Sequence, residues 1–424
     1  MLYKKILYTM GLLLAIYLAA EALSFGAYYI AEEKLFSFAD MAARRMTVLA
    51  SLKSSEETKE TSPQGTVPHP YLGFVYDPTV EKNPLMTPYG FLAERDPIVA
   101  SKEADTAIVA ITGGSTAEQF FGSAHGVLHS SLEKMPQFQG KKIDIIMLGR
   151  GMYHQPQLVT SVAYYLMQGG RLDMLINLDG FNEITGPTEE QADGIYPAYP
   201  FAWAEIFSGQ ANAPSPSKLA DVLMWKHLRL LALDVFAPWN FSITASTVWS
   251  RIDHYCDEKT VLAEGALYSN DNKKLPYFIT GPDTLNHLST KETVAFGVQL
   301  WEQGSIQLNA IAKAYHFDYF HFLQPNQYAA GSKPLSDEEK QHAYEPQNPR
   351  YSYITDAYPL LEAGVERLRA RGEAAYSLTG IFKNEPRTVY LDVCCHINPV
   401  GNEIMANAIV QQITADYVRR GVAH

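Results

Sequence analysis

Four short blocks carry residue types that together perform nucleophilic acyl chemistry. The first, Ile111-Thr112-Gly113-Gly114-Ser115-Thr116-Ala117, ends an apolar run with two glycines and a serine where a helical pattern begins. Ser115 there has its hydroxyl exposed beside the free N–H groups of a helix start, which favour a developing negative charge. An N-cap serine or a phosphate-binding turn has the same local pattern. The second block ends Leu148-Gly149-Arg150-Gly151-Met152, and the third Leu178-Asp179-Gly180-Phe181-Asn182-Glu183. Attack of a serine on an acyl carbon produces an oxyanion, and a glycine N–H with an asparagine amide supplies the preset donors it requires. Taken singly, a glycine there fits a plain turn and an asparagine fits a cap. The fourth block, Tyr390-Leu391-Asp392-Val393-Cys394-Cys395-His396-Ile397-Asn398-Pro399, sets His396 just before a helix with Asp392 four residues upstream. A serine hydroxyl becomes a nucleophile when a neutral imidazole accepts its proton, and a carboxylate holds that imidazole in the required tautomer.

Positioning these blocks falls to a recurrent pattern of strands and helices. Continuous apolar runs at Thr106 to Ile111, Ile143 to Leu148, Leu172 to Leu178 and Phe317 to Phe322 read as buried parallel strands, with a fifth at Thr388 to Leu391. Helical patterns fall at about 116–135, 154–168, 289–315, 353–371 and 399–419. The alternation predicts an α/β sheet with helices on both faces, whose ligands bind beyond the carboxyl ends of the strands, where all four blocks lie. Between 187 and 288 the alternation lapses into Pro- and aromatic-rich sequence, read as an insertion over one edge of the sheet and a candidate substrate cover.

The chain has 424 residues, 47% hydrophobic, enough for a sizeable core, and its 34 Lys and Arg against 46 Asp and Glu disfavour a nucleic-acid partner. After Lys4 and Lys5, residues 6–30 carry no charge except Glu21. A helix of that length crosses a bilayer core, so residues 1–30 read as a membrane anchor, with a cleaved signal peptide and a buried core helix as the alternatives. Glu21 must then sit near the outer interface or face a partner. The basic pair favours a cytoplasmic amino terminus and a periplasmic or extracellular remainder. Residues 31–66 read as a helix to about Lys53 followed by a polar linker, leaving 67–424 as the main domain.

GGSTA at 113–117, GRGMY at 149–153, DGFNE at 179–183 and DVCCHINPVGN at 392–402 together resemble the SGNH subset of the GDSL hydrolases, over roughly residues 106–415. The anchor, the HPYLGF lead-in from His69 and FLQPNQY at 322–328 resemble the membrane-tethered bacterial branch. The resemblance implies a three-layer sandwich around a central parallel, flavodoxin-like sheet. It implies Ser115 as nucleophile, His396 as general base and then acid, Asp392 as its orienting partner, and the Ser115 N–H, Gly151 and Asn182 as the oxyanion hole. The implied reaction is ester or thioester hydrolysis through an acyl-enzyme, with no metal or organic cofactor. The sequence departs from the family pattern in three places. Three residues rather than two separate Asp392 from His396, the second-block glycine aligns with Gly151 or Gly149, and Glu183 stands where Asp is common.

The three cysteines leave several arrangements open: Cys256 bridged to Cys394 or Cys395, three buried thiols, or a strained bridge between the adjacent pair. His69, His154 and His321 lack metal-ligand spacing, Arg150 reads as a surface residue with contact to an anionic substrate as the alternative, and LSDEEKQH at 335–342 reads as a solvated helix start capped by Ser336. Two functions fit these residues. One is a membrane-anchored serine esterase removing acyl groups, O-acetyl among them, from a carbohydrate. The other is a non-hydrolytic glycan-binding accessory protein of polysaccharide modification or export, kept open by the displaced Asp392. Beside these, the same core run in reverse as an acyltransferase onto a glycan is a further reading.

Overall fold

The computed structural model describes residues 2–57, 65–79, 83–201, 203, 216–268, 277–282, 285, 288–348 and 351–421. Of the polar linker expected after Lys53, residues 54–57 instead continue the helix that begins at Phe38, and residues 58–64 lie outside the described residues, as do 204–215 and 269–276 of the expected insertion.

In chain order the elements are α1 (Leu2–Glu32), α2 (Phe38–Glu57), β1 (Thr66–His69), β2 (Gly73–Tyr76), β3 (Leu92–Ala93), β4 (Thr106–Gly113), α3 (Ser115–Leu132) and β5 (Lys142–Met147). There follow α4 (Gln157–Met167), β6 (Met174–Asp179), α5 (Phe181–Ala192), α6 (Pro216–Phe236), α7 (Ile243–Tyr268), α8 (Thr290–Tyr315) and β7 (Asp318–Leu323). The chain closes with α9 (Asp337–His342), α10 (Ile354–Ala370), β8 (Ala375–Ser377) and α11 (Pro399–Arg420).

Two compact units emerge, residues 65–207 with 275–424, and residues 1–64 with 208–274. The first is built on a six-stranded sheet in the order β3-β5-β4-β6-β7-β8. Strands β5, β4, β6, β7 and β8 run parallel, and β3 pairs antiparallel with β5 at the edge. Counting only the parallel strands, the order is 2-1-3-4-5, which places a switch point between β4 and β6. Alternate residues serve opposite faces, and both faces are buried, which is why these strands read as unbroken apolar runs. Val109, Ile111, Ile145 and Ile176 pack under α3 and α11, while Ile108, Ala110, Ile146 and Leu175 pack with α4 and the end of α8.

The fifth expected strand, Thr388 to Leu391, joins no sheet. Its only pairing is an isolated bridge from Tyr390 to Ile397, and the fifth parallel strand is instead β8. The boundary placed at 187 also moves, since α5 runs unbroken from Phe181 to Ala192 across Pro187.

The second unit is helical. Tyr28, Met41, Val48, Leu52, Ala232 and Trp249 form its core, joining α1 and α2 to α6 and α7. The centre of the insertion thus belongs with the amino-terminal helices, and not with the sheet as the candidate cover had it. Helix α1 is long and apolar enough to cross a membrane.

Candidate functional site

Ser115 is the first residue of α3, with Gly114 as its N-cap. The glycines before it are required by close approach. A Cβ on Gly113 would lie 2.0 Å from the Leu178 carbonyl oxygen, and one on Gly114 would lie 2.1 Å from Asn182 Nδ2. A larger residue at 113 would push β4 from β6, and one at 114 would push the Asn182 side chain away from the start of α3.

The fourth block closes on this serine. His396 Nε2 lies 2.8 Å from Ser115 Oγ, and His396 Nδ1 lies 2.5 Å from Asp392 Oδ2. The extra residue between Asp392 and His396 is absorbed by a tight turn. Asp392 Oδ1 accepts the N–H groups of Cys394, Cys395 and His396 at 3.0, 3.2 and 3.4 Å, which leaves Oδ2 to face the ring. The hydrogen bond to Asp392 raises the His396 pKa above the ordinary imidazole value, against the opposing pull of burial. Burial pushes the Asp392 carboxyl up, yet its bonds to His396 and the backbone outweigh that and hold it below its usual value.

The FLQPNQY segment acts as a bracket for this loop. Gln327 Nε2 donates to the Asp392 carbonyl at 2.9 Å, Tyr328 Oη to the Val393 carbonyl at 2.9 Å, and Asn326 Nδ2 to the Cys394 carbonyl at 3.4 Å. Gln324 Nε2 reaches Thr116 Oγ1 at 3.1 Å, so one buried segment touches both the loop and the serine helix. From the other side, Glu339 Oε1 accepts the N–H groups of Val389 and Tyr390 at 2.9 and 3.0 Å. Its Oε2 pairs with Lys333 Nζ at 2.8 Å, both side chains being fully buried. The segment read as a solvated helix start therefore has Ser336 as its cap, as expected, but turns Glu339 inward as a clamp.

The two other expected donors sit beside Ser115, and each has a partner. A Cβ on Gly151 would lie 3.7 Å from Ser115 Cβ, whereas Gly149 packs on the Gly113 backbone, so Gly151 is the glycine on the serine side. The Gly151 N–H donates to Glu118 Oε2 at 2.5 Å, and Glu118 Oε1 accepts the Tyr76 hydroxyl. Met152, at φ +70°, completes the turn closed by the Tyr153 N–H on the Arg150 carbonyl at 3.0 Å. Asn182 Nδ2 donates to the Tyr153 carbonyl at 2.9 Å, which leaves its second N–H hydrogen for a ligand. Asn182 is steadied from behind, since Glu183 Oε2 accepts the Gly180 N–H at 2.8 Å. The Asp179 carboxylate accepts from Trp301 Nε1 at 2.5 Å, from His321 Nε2 at 2.7 Å and from Asn177 Nδ2 at 2.8 Å. Burial first, then the neighbouring Asp179, pushes Glu183 well above the usual carboxylate range.

Arg150 is not a surface residue. It is 8% exposed, its guanidinium lies 4.0 Å from the Tyr76 ring centroid, and it donates to the Val75 carbonyl at 3.0 Å, tying the β1–β2 hairpin to the second block. Cys256 and Cys395 are buried thiols, and Cys394 Sγ lies 2.9 Å from Cys395 Sγ, so the expected bridge from Cys256 to the loop is not formed. Cys394, Cys395 and His396 offer ligand atoms within 4.8 Å of one another. Both imidazole nitrogens, however, are already engaged by Ser115 and Asp392.

Sequence reading singled out Ser115, Gly151, Asn182, Asp392 and His396, and these converge. It missed Glu118, Glu339 and the bracketing roles of Gln324 to Tyr328. Glu118 left one sequence signal, a carboxylate three residues after Ser115 and therefore one helical turn away.

No family model matches the chain, and no curated protein matches it. Among solved structures it is similar to LAE5, an α/β hydrolase enzyme from the metagenome of Lake Arreo, Spain. The identity is 11% and the TM-score 0.31, with 74% of this chain and 97% of that chain covered.

Proposed function

We propose that this protein is a membrane-anchored serine ester hydrolase of the SGNH type, its sheet unit on the periplasmic or extracellular side, which removes acyl groups from an acylated carbohydrate. The observation that carries this reading is the relay Ser115 Oγ to His396 Nε2 at 2.8 Å and His396 Nδ1 to Asp392 Oδ2 at 2.5 Å. His396 takes the serine proton as Ser115 Oγ attacks the acyl carbon, and Asp392 stabilises the imidazolium that forms. The oxyanion is received by the N–H groups of Ser115 and Gly151 and by the free N–H of Asn182. For Gly151 to serve, the Glu118 carboxylate has to leave it as the acyl oxygen enters. His396 then protonates the departing alcohol, and the same imidazole activates the water that releases the acid.

The carbohydrate part of the reading rests on ring faces. Of the aromatic residues expected in the insertion, Tyr196, Tyr199 and Trp203 stay with the sheet unit, with centroids 5.0 and 6.3 Å apart in sequence order. Such rings join an apolar face to a polar edge, as a sugar does. The displaced Asp392 is the feature that favours a non-hydrolytic role, and its 2.5 Å bond to His396 supports the hydrolytic reading instead.

The test is labelling of the detergent-solubilised full chain by a fluorophosphonate, with a p-nitrophenyl ester series from acetate to palmitate run in parallel. The expected result is stoichiometric labelling and short-chain turnover, both lost in Ser115→Ala while the melting temperature holds. Labelling that persists in Ser115→Ala, or an unlabelled wild-type chain, overturns the reading.

A further inference from the structure

Glu21 is the one charge in the apolar stretch of α1, and the helical unit gives it a partner. Ser242 Oγ donates to Glu21 Oε1 at 2.5 Å, and the Ile243 N–H donates to Glu21 Oε2 at 2.6 Å. Ile243 is the first residue of α7, so a carboxylate from the apolar helix caps the start of another helix. That contact fixes the turn between α6 and α7, residues 237–242, at the level of Glu21.

The composition of this hairpin tip is distinctive. Residues 235–250 contain no Asp, Glu, Lys, Arg or His, and the stretch is flanked by Asp234 and Arg251. The tip nevertheless turns large apolar side chains outward, with Val235 55%, Trp239 56% and Phe241 63% exposed. Charges collect instead at a second level, further from the tip. Arg44 bonds Ser250 Oγ at 2.9 Å and pairs with Glu32 at 3.4 Å and Asp253 at 3.6 Å, and Arg229 pairs with Asp253 at 2.9 Å. Along α1 this ionic layer lies about 16 Å beyond Glu21, the rise of the helix from residue 21 to residue 32.

Length then decides what covers the tip. Residues 6–19 of α1 are exposed on every side, a bare stretch of about 21 Å at helical rise. A bilayer hydrocarbon core is about 30 Å thick, which leaves about 9 Å to be spanned from Ala20 onward, where the hairpin tip is attached. The tip therefore shares the outer edge of the core with α1. Backbone groups there must be satisfied within the protein, and Glu21 supplies the acceptor that allows α7 to begin in lipid.

We infer that the α6–α7 hairpin dips its tip, through Val235, Trp239 and Phe241, into the outer lipid leaflet beside α1, so that the chain grips the membrane at two places. The occupant of the apolar surface is the acyl region of the bilayer, and the ionic layer around Arg44 and Asp253 marks the headgroup level. This rests on α1 spanning the membrane, as the proposed function has it.

The experiment uses the full chain in vesicles of phosphatidylcholine containing a phospholipid with a photoactivatable diazirine in its acyl chain, with adducts mapped by mass spectrometry. Adducts are expected on residues 6–20 and also on residues 235–248, centred on Trp239 and Phe241, with at least a tenfold lower yield on residues 251–263. Adducts on residues 6–20 alone overturn the hairpin inference and leave the anchor standing. Adducts on neither segment overturn both.

Discussion

His396 holds its proton more tightly than a free imidazole because the Asp392 carboxylate accepts its Nδ1–H, and burial only partly opposes this. The sign of the pH dependence follows. On the proposed mechanism the base must be neutral to take the Ser115 proton, so acylation is expected to rise with pH through the His396 pKa, with an inflection above the ordinary value of about 6.5. Replacing Asp392 with Asn removes the charge and the tautomer control together. The kcat/KM profile on a short-chain ester should then shift its inflection to lower pH, and its plateau should fall about a thousandfold or more. An inflection left in place by Asp392→Asn would show that another group orients the imidazole. At this scale the sequence was legible where candidate residues follow a strand of the sheet, as with Ser115 and Asn182, while His396 follows an extended apolar run, Thr388 to Leu391, that stays outside the sheet. Asp392 looked misplaced because counting residues cannot foresee that its own Oδ1 folds the intervening residues into a turn. Arg150 and Glu339 were misread, since a charged side chain turned inward is a property of the packed molecule and leaves no mark in local pattern, and Glu118 left only its spacing of three residues from Ser115.

Between residues and the whole stand the elements that hold the loop of Asp392 and His396, among them the α9 clamp. Glu339 is buried between Lys333 and the Val389 and Tyr390 N–H groups, and a glutamine there keeps an oxygen for the two backbone donors but strands the buried Lys333 cation. Glu339→Gln should destabilise the fold by about 3 kcal/mol, read as a shift in the denaturation midpoint. The double variant Lys333→Met with Glu339→Gln should recover part of that loss, because no unpaired charge remains. Equal stability of the single and double variants would mean that the ion pair does not carry the clamp. The clamp also explains the false fifth strand. Thr388 to Leu391 is extended and apolar as a strand would be, but its hydrogen bonds go to a carboxylate and, around the isolated bridge of Tyr390 with Ile397, to the backbone of His396 and Asn398. Strand β8, by contrast, is too short at three residues to announce itself by periodicity. The four longer parallel strands were legible because both faces of the sheet are buried, which writes continuous apolar runs into the sequence.

The molecule as a whole divides in an order the linear sequence conceals. Residues 208–274 look like an elaboration of the sheet domain, yet they complete their core only with Tyr28, Met41, Val48 and Leu52 from the amino-terminal helices. Helix patterns here were masked by Pro238 and the aromatic tip, whose outward apolar residues break the amphipathic rule that identifies a water-exposed helix. A chain beginning at Gly65 discriminates between the two organisations. If α6 and α7 belonged to the sheet unit, truncation would leave them folded and protected from protease. Built as they are, they lose the core around Trp249 together with the partners Glu21, Glu32 and Arg44. Limited proteolysis should therefore cut the truncated chain within residues 216–268 at least tenfold faster than the full chain, and detergent should be needed to keep it dispersed. Fluorophosphonate labelling of Ser115 should survive, because Asp392, His396, Gly151, Asn182 and the bracket from Gln324 to Tyr328 all lie in the sheet unit. Labelling lost together with the fold of 216–268 would show that the helical unit also supports the catalytic residues. Labelling retained beside a frayed hairpin would assign the two tasks, holding the membrane and performing acyl chemistry, to separate cores.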